Sequence, residues 1–580
     1  MKTYKEIKAN LKSDISSLPT IKVALLGDSA TQFLATAIKG LGVDCGFNIN
    51  LFEAQFNQIE IQIENPASEL HKFQPKYIVL FQSTHKLCVE HAKMGVDAQA
   101  NLAENRLDSV DRICEAYESS KIICLNYPEI GDGVFGSYCN SVESSFTYQV
   151  RKLNYELMRL TAKRHNLYVC DIAEVQNKYG RNFMFSPNVY VCTEMVLSLD
   201  AVPLVASRIV DIISTSEGKA KKCLILDLDN TLWGGIIGDD GMAGIQLGHG
   251  LGIGKAFCEL QLWVKKLKER GIIICICSKN DEEVAKEPFR THPDMILHLD
   301  DIAVFMANWE TKVDNIYAIQ KILNISYDSM VFLDDNPFER GIIRENIPEI
   351  CVPELPKDPA DYLEYLYSLN LFETVSFSSL DSERTHQYQV QSQRHKFAKT
   401  FANESDFLKS LEMTSCVEGL TKFNIPRVAQ LTQRSNQFNL RTVRYSQSDI
   451  ERMATYSDVF CVNFTLSDRF GDNGLICTVI LKRIDENAAF IDTWVMSCRV
   501  LNRGMENFTL NTIVDIARKN GFSEIIGEYI RSPKNKMVED HYLSLGFSEM
   551  EGEEHDNRRY VLHIDKYCNK ECYIKKQVTK

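Results

Sequence analysis

The sequence predicts a multidomain α/β chain, in which two doubly wound parallel-sheet units precede a further α/β unit. Three observations carry that expectation. From about residue 21 to 214, short apolar runs (KVALLG, YIVLFQ, KIICLN, LYVCDI) alternate with helical segments, the rhythm of parallel strands joined by crossover helices. The rhythm restarts at residue 222 with CLILDLD, IIICICS, MILHL and MVFLDD. At 580 residues the chain is also too long for one hydrophobic core.

The first unit is expected over 1–215, and the polar segment 214–222 separates it from a second unit over 216–372. The last strand of that second unit fades near Cys351, and Pro353, Pro356 and Pro359 mark its exit. A charged helical connector is expected over 373–413. The third unit, 414–580, carries the strand-like runs FCVNF, LICTVIL, AFIDTWVMS and EIIGEYI around a helix over about 504–520. No internal repeat or low-complexity tract interrupts this order.

Composition is that of an ordinary soluble globular protein. The net charge of -13, with no long basic run to offset it, argues against nucleic-acid binding, which needs clustered Lys or Arg. The polar start MKTYKEIKANLKSDISSL lacks the apolar core of a signal peptide, and no run of 18 apolar residues follows, so no membrane span and a cytoplasmic location are expected. The 18 cysteines are scattered, several of them inside apolar strands (Cys124, Cys170, Cys223, Cys275, Cys277), which suits reduced core thiols. Cys568 and Cys572 form a CxxxC pair with no second pair at zinc-finger spacing.

The second unit concentrates polar chemistry at its strand ends. Asp227 and Asp229 leave one apolar strand together, and alternation points them the same way, with Leu228 turned into the fold. Two carboxylates this close repel in a poorly hydrated cleft unless a cation sits between them, and Mg2+ is the natural cation. The next strand ends in Ser278, Lys279 and Asn280, a hydroxyl and backbone N–H groups placed to hold phosphate oxygens at a helix start. Lys312 lies beyond the strand after that and can neutralise a phosphoryl group. The final strand delivers Asp334 and Asp335, further carboxylates for a metal ion. Any one acidic strand end can merely cap the following helix; four such elements in order point to phosphoryl transfer.

This set resembles the haloacid dehalogenase superfamily, whose motifs are a DxDxT strand end, a Ser or Thr strand end, a Lys and a terminal acidic pair. The resemblance implies a Rossmann-like fold with Asp227 as nucleophile, Asp229 as general acid and base, and Thr231 supporting the turn beside the phosphate-binding Ser278, Lys279 and Lys312. It implies Mg2+ held by Asp227, the backbone carbonyl of Asp229, and Asp334 or Asp335. The interval from Asp229 to Ser278 is nearly filled by residues 233–254 and a helix over 255–270, so the unit is capless. The glycine run Gly248, Gly250, Gly252, Gly254 lacks strand-turn-helix context and reads as flexible loop.

In the third unit, NKMVEDHYLSLGF matches the N-x-x-(A/V)-x-x-x-Y-x-x-x-G-F pattern of the GNAT acyltransferases at Asn535, Tyr542, Gly546 and Phe547, and Arg503, Gly504 and Met505 resemble their R-G-x loop. Glu506 departs from that pattern, because an acidic residue beside a diphosphate disfavours free coenzyme A. Cys498, near Arg499, Arg503 and a helix start, is either a nucleophile or one more buried inert thiol. Taken together, DLDNTLWGG, CSKND, FLDDNPFER, LTQRSNQFNLRTVRY, DRFGDNGL and MSCRVLNRGME resemble the FkbH-like proteins over about 222–547. That resemblance implies removal of phosphate from a small phosphorylated acid such as 1,3-bisphosphoglycerate. It also implies loading of the glyceryl group, carried by Cys498, onto the phosphopantetheine thiol of an acyl carrier protein, with Arg499, Arg503, Gly504, Asn535 and Tyr542 around the acyl and pantetheine groups. A plain phosphatase whose last unit only binds substrate, or a carrier-docking scaffold with vestigial catalysis, are the alternatives.

In the first unit Gly27, Asp28 and Ser29 resemble the GDS opening of the SGNH hydrolases, which share a flavodoxin-like sheet; Ser29 is the candidate nucleophile that follows from this. The D-x-x-H of that family is replaced by Asp200, Ala201, Val202 and Pro203, with no histidine. His85 and Asp171 are either substitutes or structural. The unit therefore reads as a degenerate SGNH-like module.

Overall fold

The computed structural model describes residues 2–377, 384–398, 400–532, 534–550 and 557–577. It divides into two compact units, 1–217 and 218–580. Among the described residues no helix is long and apolar enough to cross a membrane.

The first unit is a five-stranded sheet of β1 (Thr20–Gly27), β2 (Asn48–Glu53), β3 (Tyr77–Phe81), β4 (Lys121–Leu125) and β5 (Leu167–Cys170), ordered β2-β1-β3-β4-β5. Every pairing is parallel. β3 is buried along its whole length and β4 almost so, which is why their runs are continuously apolar. β2 (NINLFE) is absent from the sequence expectation for a physical reason. It is an edge strand with one fully buried residue, so it carries neither a continuous nor a clean alternating apolar signal.

The second unit holds two sheets. The first comprises β6 (Cys223–Leu226), β7 (Ile273–Ser278), β8 (Val304–Ala307) and β9 (Met330–Leu333), ordered β8-β7-β6-β9 and parallel throughout. Its two faces are covered by separate apolar cores. The expected strand MILHL does not form. Met295 and Leu297 bury their side chains from an irregular segment, and the ladder to β7 is made by VFMA instead. Apolarity alone could not separate the two runs.

The other sheet has eight strands, ordered β15-β16-β14-β13-β12-β11-β10-β17. They are β10 (Thr414–Glu418), β11 (Val459–Asp468), β12 (Gly471–Arg483), β13 (Ala488–Met496), β14 (Glu524–Ile530), β15 (Ser548–Glu549), β16 (Asn557–His563) and β17 (Lys575–Gln577). The parallel pairs are β13 with β14 and β10 with β17, and the rest of the ladder is antiparallel. The helix Met505–Lys519 crosses from β13 to β14. This is the mixed order of a GNAT-like fold. β13 and β14 pair only from Ala488 with Glu524 to Ile491 with Gly527, then part. Of the predicted connector 373–413, residues 378–383 and 399 lie outside the described residues; the helices Arg384–Ala398 and Glu404–Ser410 occupy part of the remainder.

Candidate active site

β6 lies between β7 and β9, so the chain segments leaving these three strands share one edge of the sheet. Such carboxyl edges are where open α/β sheets bind ligands. Asp227 continues the ladder, its N–H donating to the Leu333 carbonyl at 3.0 Å. The chain then turns sharply, with Leu232 N–H donating to the Leu228 carbonyl at 2.7 Å and Asn230 in the left-handed region at φ 54°. Asn230 tolerates that conformation, and its Oδ1 accepts from Gly235 N–H at 2.9 Å.

Four charged groups meet below this turn. Lys312 Nζ lies 2.9 Å from Asp227 Oδ2 and 2.6 Å from Asp334 Oδ2, all three side chains being buried. One oxygen each from Asp227, Asp334 and Asp335 falls within 4.8 Å of the others. Burial disfavours the Lys312 ammonium, but Asp227 and Asp334 overcome it and hold the group well above its ordinary range. Burial, and then the charge of Asp227, push Asp334 up to about 6 and raise Asp335 as well. Three carboxylates against one ammonium leave a surplus of two negative charges. Asp227 Oδ1 is buried and has no hydrogen-bond partner, which costs free energy unless a ligand supplies one. A hard divalent cation coordinated by oxygen fits both the charge and the orphaned atom.

Asp229 is held differently. Its carboxylate accepts from Trp233 Nε1 at 2.9 Å, from Ile237 N–H at 3.0 Å and from Asn280 Nδ2 at 2.8 Å. Both oxygens are thus engaged by donors, which leaves its backbone carbonyl as the atom able to join a metal. Asn280 also donates to Ser278 Oγ at 3.3 Å, linking the β6 and β7 ends. Thr231 is fully buried, and its Oγ1 accepts from Asp335 N–H at 3.2 Å, tying the first acidic loop to the last. Lys279 is turned away into an ion pair with Glu339 at 2.6 Å, so the phosphate-binding expectation for it does not match its placement. Arg340 was missed in the sequence. It is buried, donates to the Asp334 and Asp335 carbonyls at 2.7 Å each, and is anchored by Glu354 at 2.8 Å. Its signal was present in the FLDDNPFER run, one helical turn after the acids.

The remaining candidates lie elsewhere. Cys498 follows β13 and is half-buried; its carbonyl accepts from Asn324 Nδ2 at 3.0 Å, and Tyr388 Oη stands 4.0 Å from its Sγ. It lines a cavity of about 100 Å3 together with Lys222, Ile273, Ser326 and Ser329. Those residues stand at the amino ends of β6, β7 and β9, the edge opposite Asp227. At roughly 3.3 Å per residue, the chain from Lys222 to Asp227 spans about 16 Å.

Arg499 lines the same cavity. Arg503 does not. It is buried, bonded to Asp468 at 3.2 Å, to Gln391 Oε1 at 2.5 Å and to the Arg499 carbonyl at 2.5 Å, and Asp468 also pairs with Arg394 at 2.8 Å. Burial and then Arg394 lower the Arg503 guanidinium to about 9. Gly504 precedes the helix Met505–Lys519 at φ 77°, and burial raises Glu506 in its first turn.

Asn535 and Tyr542 are corrections to the pantetheine expectation, because both are completely buried. Where β13 and β14 part, residues 438–440 fill the gap. Met496 N–H donates to the Phe438 carbonyl at 3.1 Å and Ile530 N–H to the Leu440 carbonyl at 2.9 Å. Asn535 Nδ2 clamps the insert through the Asn439 carbonyl at 2.9 Å. A Cβ on Gly527 would overlap the Tyr542 ring, so that glycine exists to admit the tyrosine. Both residues therefore build the core of the sheet.

In the first unit Ser29 is fully buried and its Oγ has no partner. Asp28 beside it accepts from Ser83 N–H at 2.7 Å, and burial raises it to about 6. His85 packs edge-on to Phe185 at 4.7 Å and is lowered to about 4 by burial. Asp171 caps the helix Ile172–Tyr179 and accepts from Asn126 Nδ2 at 2.7 Å, a structural role.

The family model described as FkbH, N-terminal domain, matches residues 22–214. The crystal structure of the N-terminal part of the protein BF1531 from Bacteroides fragilis, containing a phosphatase domain complexed with Mg, is 60% identical, covering 65% of this chain and 100% of that one with a TM-score of 0.64. The ribosomal-protein-S18-alanine N-acetyltransferase from Escherichia coli is 18% identical, covering 26% of this chain and 94% of that one with a TM-score of 0.21. No curated protein matches the chain.

Proposed function

Because the chain belongs to the FkbH family, we propose that it is a Mg2+-dependent hydrolase of the haloacid dehalogenase type that removes phosphate from a small phosphorylated acid, and that it passes the acyl group to the thiol of an acyl carrier protein. The observation that carries the phosphoryl half is the buried, unpartnered Asp227 Oδ1 beside Asp334, Asp335 and Lys312. Asp227, Asp334, Asp335 and the Asp229 carbonyl would hold the ion. When bound, Mg2+ supplies charge neutralisation for the phosphoryl oxygens and for the carboxylates around them.

The residues do the rest. Asp227 attacks phosphorus, forming a P–O bond to its carboxylate while the bond from phosphorus to the substrate oxygen breaks. Asp229, fixed by Trp233, Ile237 and Asn280, gives a proton to the departing alkoxide and then takes one from the water that hydrolyses the aspartyl-phosphate. Lys312 holds negative charge that develops on the phosphoryl group, and Arg340 fixes the carbonyls of the acidic pair.

The acyl half rests on the family resemblance and on Cys498 lining a cavity. For a donor with two phosphates, each has its own fate. The Cys498 thiolate attacks the acyl carbon and displaces the acyl phosphate as inorganic phosphate, giving a thioester. The carrier thiol then takes the acyl group and returns the cysteine, while the phosphomonoester is hydrolysed at Asp227. One observation favours a second reading, a phosphatase whose last sheet is only structural: Cys498 and Asp227 stand at opposite edges of the β6 to β9 sheet.

The test is to incubate the protein with Mg2+, 1,3-bisphosphoglycerate and a holo carrier protein and to weigh both proteins by intact mass spectrometry. A gain of the glyceryl mass on the carrier is expected, lost in Cys498→Ala and replaced in Asp227→Asn by an adduct heavier by one phosphate. Phosphate release with no carrier adduct leaves the phosphatase reading alone, and undiminished phosphate release by Asp227→Asn overturns the central assignment.

A further inference from the structure

The mouth of the phosphoryl site carries apolar side chains that its chemistry does not use. Ile236, Trp309 and Phe338 are 44%, 77% and 69% exposed, and each stands on a different loop leaving the carboxyl edge of the β6 to β9 sheet. Ile236 precedes Ile237, whose N–H donates to Asp229 Oδ1 at 3.0 Å. Trp309 lies between Asn308, whose N–H donates to the Ser278 carbonyl at 3.2 Å, and Lys312, whose Nζ reaches Asp227. Phe338 N–H donates to Asn336 Oδ1 at 2.9 Å, and Asn336 N–H to Asp334 Oδ1 at 2.9 Å. Single exposed apolar residues are ordinary, but one on each of three loops around the same site marks a binding surface.

The same loops set the charge of whatever enters. Residues 227–240, 308–311 and 334–338 hold Asp239, Asp240 and Glu310 besides the acids of the site, and no Lys or Arg. On the fourth loop, Lys279 is committed to Glu339 at 2.6 Å. A divalent cation balances the two charges by which Asp227, Asp334 and Asp335 exceed Lys312, and a phosphoryl group then adds its own negative charge. A free carboxylate on the same small molecule meets further acids and no cation from these three loops, a repulsion that a cleft screens weakly. The same acid joined to a thiol as a thioester carries no carboxylate. Cys498 cannot present that thioester here. Five bonds separate its sulfur from the phosphorus of a three-carbon phosphoacyl group, too few to pass from one edge of the sheet to the other, about 16 Å away.

We infer that the substrate of the Asp227 site is the phosphoacyl group already tethered to the carrier, and that Ile236, Trp309 and Phe338 receive the methyl and methylene groups of its phosphopantetheine arm. This deepens the loading reading and rests on it. Loading comes first and dephosphorylation second. Asp227 forms its bond to phosphorus, the bond from phosphorus to the alkoxide oxygen of the acyl group breaks, and Asp229 gives that oxygen its proton. Water then releases the phosphate from Asp227, and the thioester to the carrier stays intact. The long arm lets the carrier move the group from one edge of the sheet to the other.

The experiment measures phosphate release by the full chain with Mg2+ from two probes, free 3-phosphoglycerate and the S-(3-phosphoglyceryl) thioester of pantetheine. The thioester is expected to show a kcat/KM about a hundredfold higher, from apolar burial and the absent carboxylate together. Trp309→Ala is expected to cut that preference on the order of tenfold, through the KM of the thioester, and Trp309→Phe to keep most of it. Trp309 is exposed, so neither change should disturb the fold. Equal kcat/KM for the two probes in the parent, or a preference that Trp309→Ala leaves whole, overturns the inference. Asp227→Asn tells that failure from a failure of the proposed function. If the parent handles both probes equally and the variant loses both, the inference alone falls; undiminished release by Asp227→Asn sinks the phosphoryl assignment itself.

Discussion

The two edges of the β6 to β9 sheet carry opposite chemistry. At the carboxyl edge three carboxylates surround one lysine, with an orphaned oxygen among them; at the amino edge four cations surround one thiol. The first arrangement calls for a cation. Their assembly differs just as sharply. The acidic edge is made by segments that directly leave neighbouring strands, so order along the chain is enough to bring them together. The cationic edge needs a helix and a loop from the other sheet to fold against the first. The two edges of one sheet thus place different demands on how the chain must fold.

The largest expected effect breaks that pairing at the carboxyl edge. Asp227→Asn removes the nucleophile and should lower phosphate release on the order of a thousandfold or more, measured as steady-state phosphate from a phosphomonoester with Mg2+ present. Its fold should survive, because the amide keeps the volume and Lys312 keeps Asp334. A loss of less than tenfold would mean that another group attacks phosphorus.

Lys312→Met comes next. It leaves buried carboxylates without their counter-charge, which costs about 3–5 kcal/mol. Chemical denaturation in Mg2+-free buffer should show the loss, and added Mg2+ should restore part of it, since a ligand that binds only the folded state stabilises it. A variant as stable as the parent without Mg2+ would show that the acids are already neutral.

On the opposite side of the comparison, Gly527→Ala should disturb the second sheet alone. Its methyl group meets the Tyr542 ring with no free space, an overpacking worth about 1–3 kcal/mol. The same denaturation measurement should show this while phosphate release per folded molecule stays at the parent level. A fall in that rate would show that the two sheets are mechanically coupled.

The same contrast explains how much could be read in the sequence. Asp227, Asp229, Ser278, Asp334 and Asp335 stood out because they lie where apolar strands end, visible as a change from apolar to polar residues, and Lys312 because it opens the helix after the next strand. Lys279 misled for the opposite reason: on a turn, one residue step rotates a side chain toward a different neighbour, here Glu339. Asn535 and Tyr542 matched a sequence pattern that says nothing of burial, and both lie in the core, Asn535 against the 438–440 segment that fills the gap between β13 and β14. The cavity at Cys498 left no local trace, as its walls come from residues more than two hundred positions apart. Strand β2 was lost to its half-buried edge position, and β8 to a neighbouring run of equal apolarity.

The smallest effect concerns acid stability, and it separates the second sheet from the phosphoryl site. His541 is buried against Phe438 and Trp494, with ring centroids 4.8 and 4.7 Å away, and its Nε2 has no partner. Burial lowers it to about 3, so the folded chain keeps it neutral where the unfolded chain, near 6.5, takes up a proton. The unfolded state then binds more protons, and stability falls as pH falls from about 6.5 toward the folded value, by up to about 1.4 kcal/mol per pH unit. His541→Phe keeps the aromatic packing and removes the proton. Between pH 6 and 4 its stability should fall less steeply than the parent's by about that slope, measured by denaturation at each pH. Equal slopes in the two proteins would mean that His541 is already protonated in the folded state, and that water or an acid reaches the core behind the 438–440 insert.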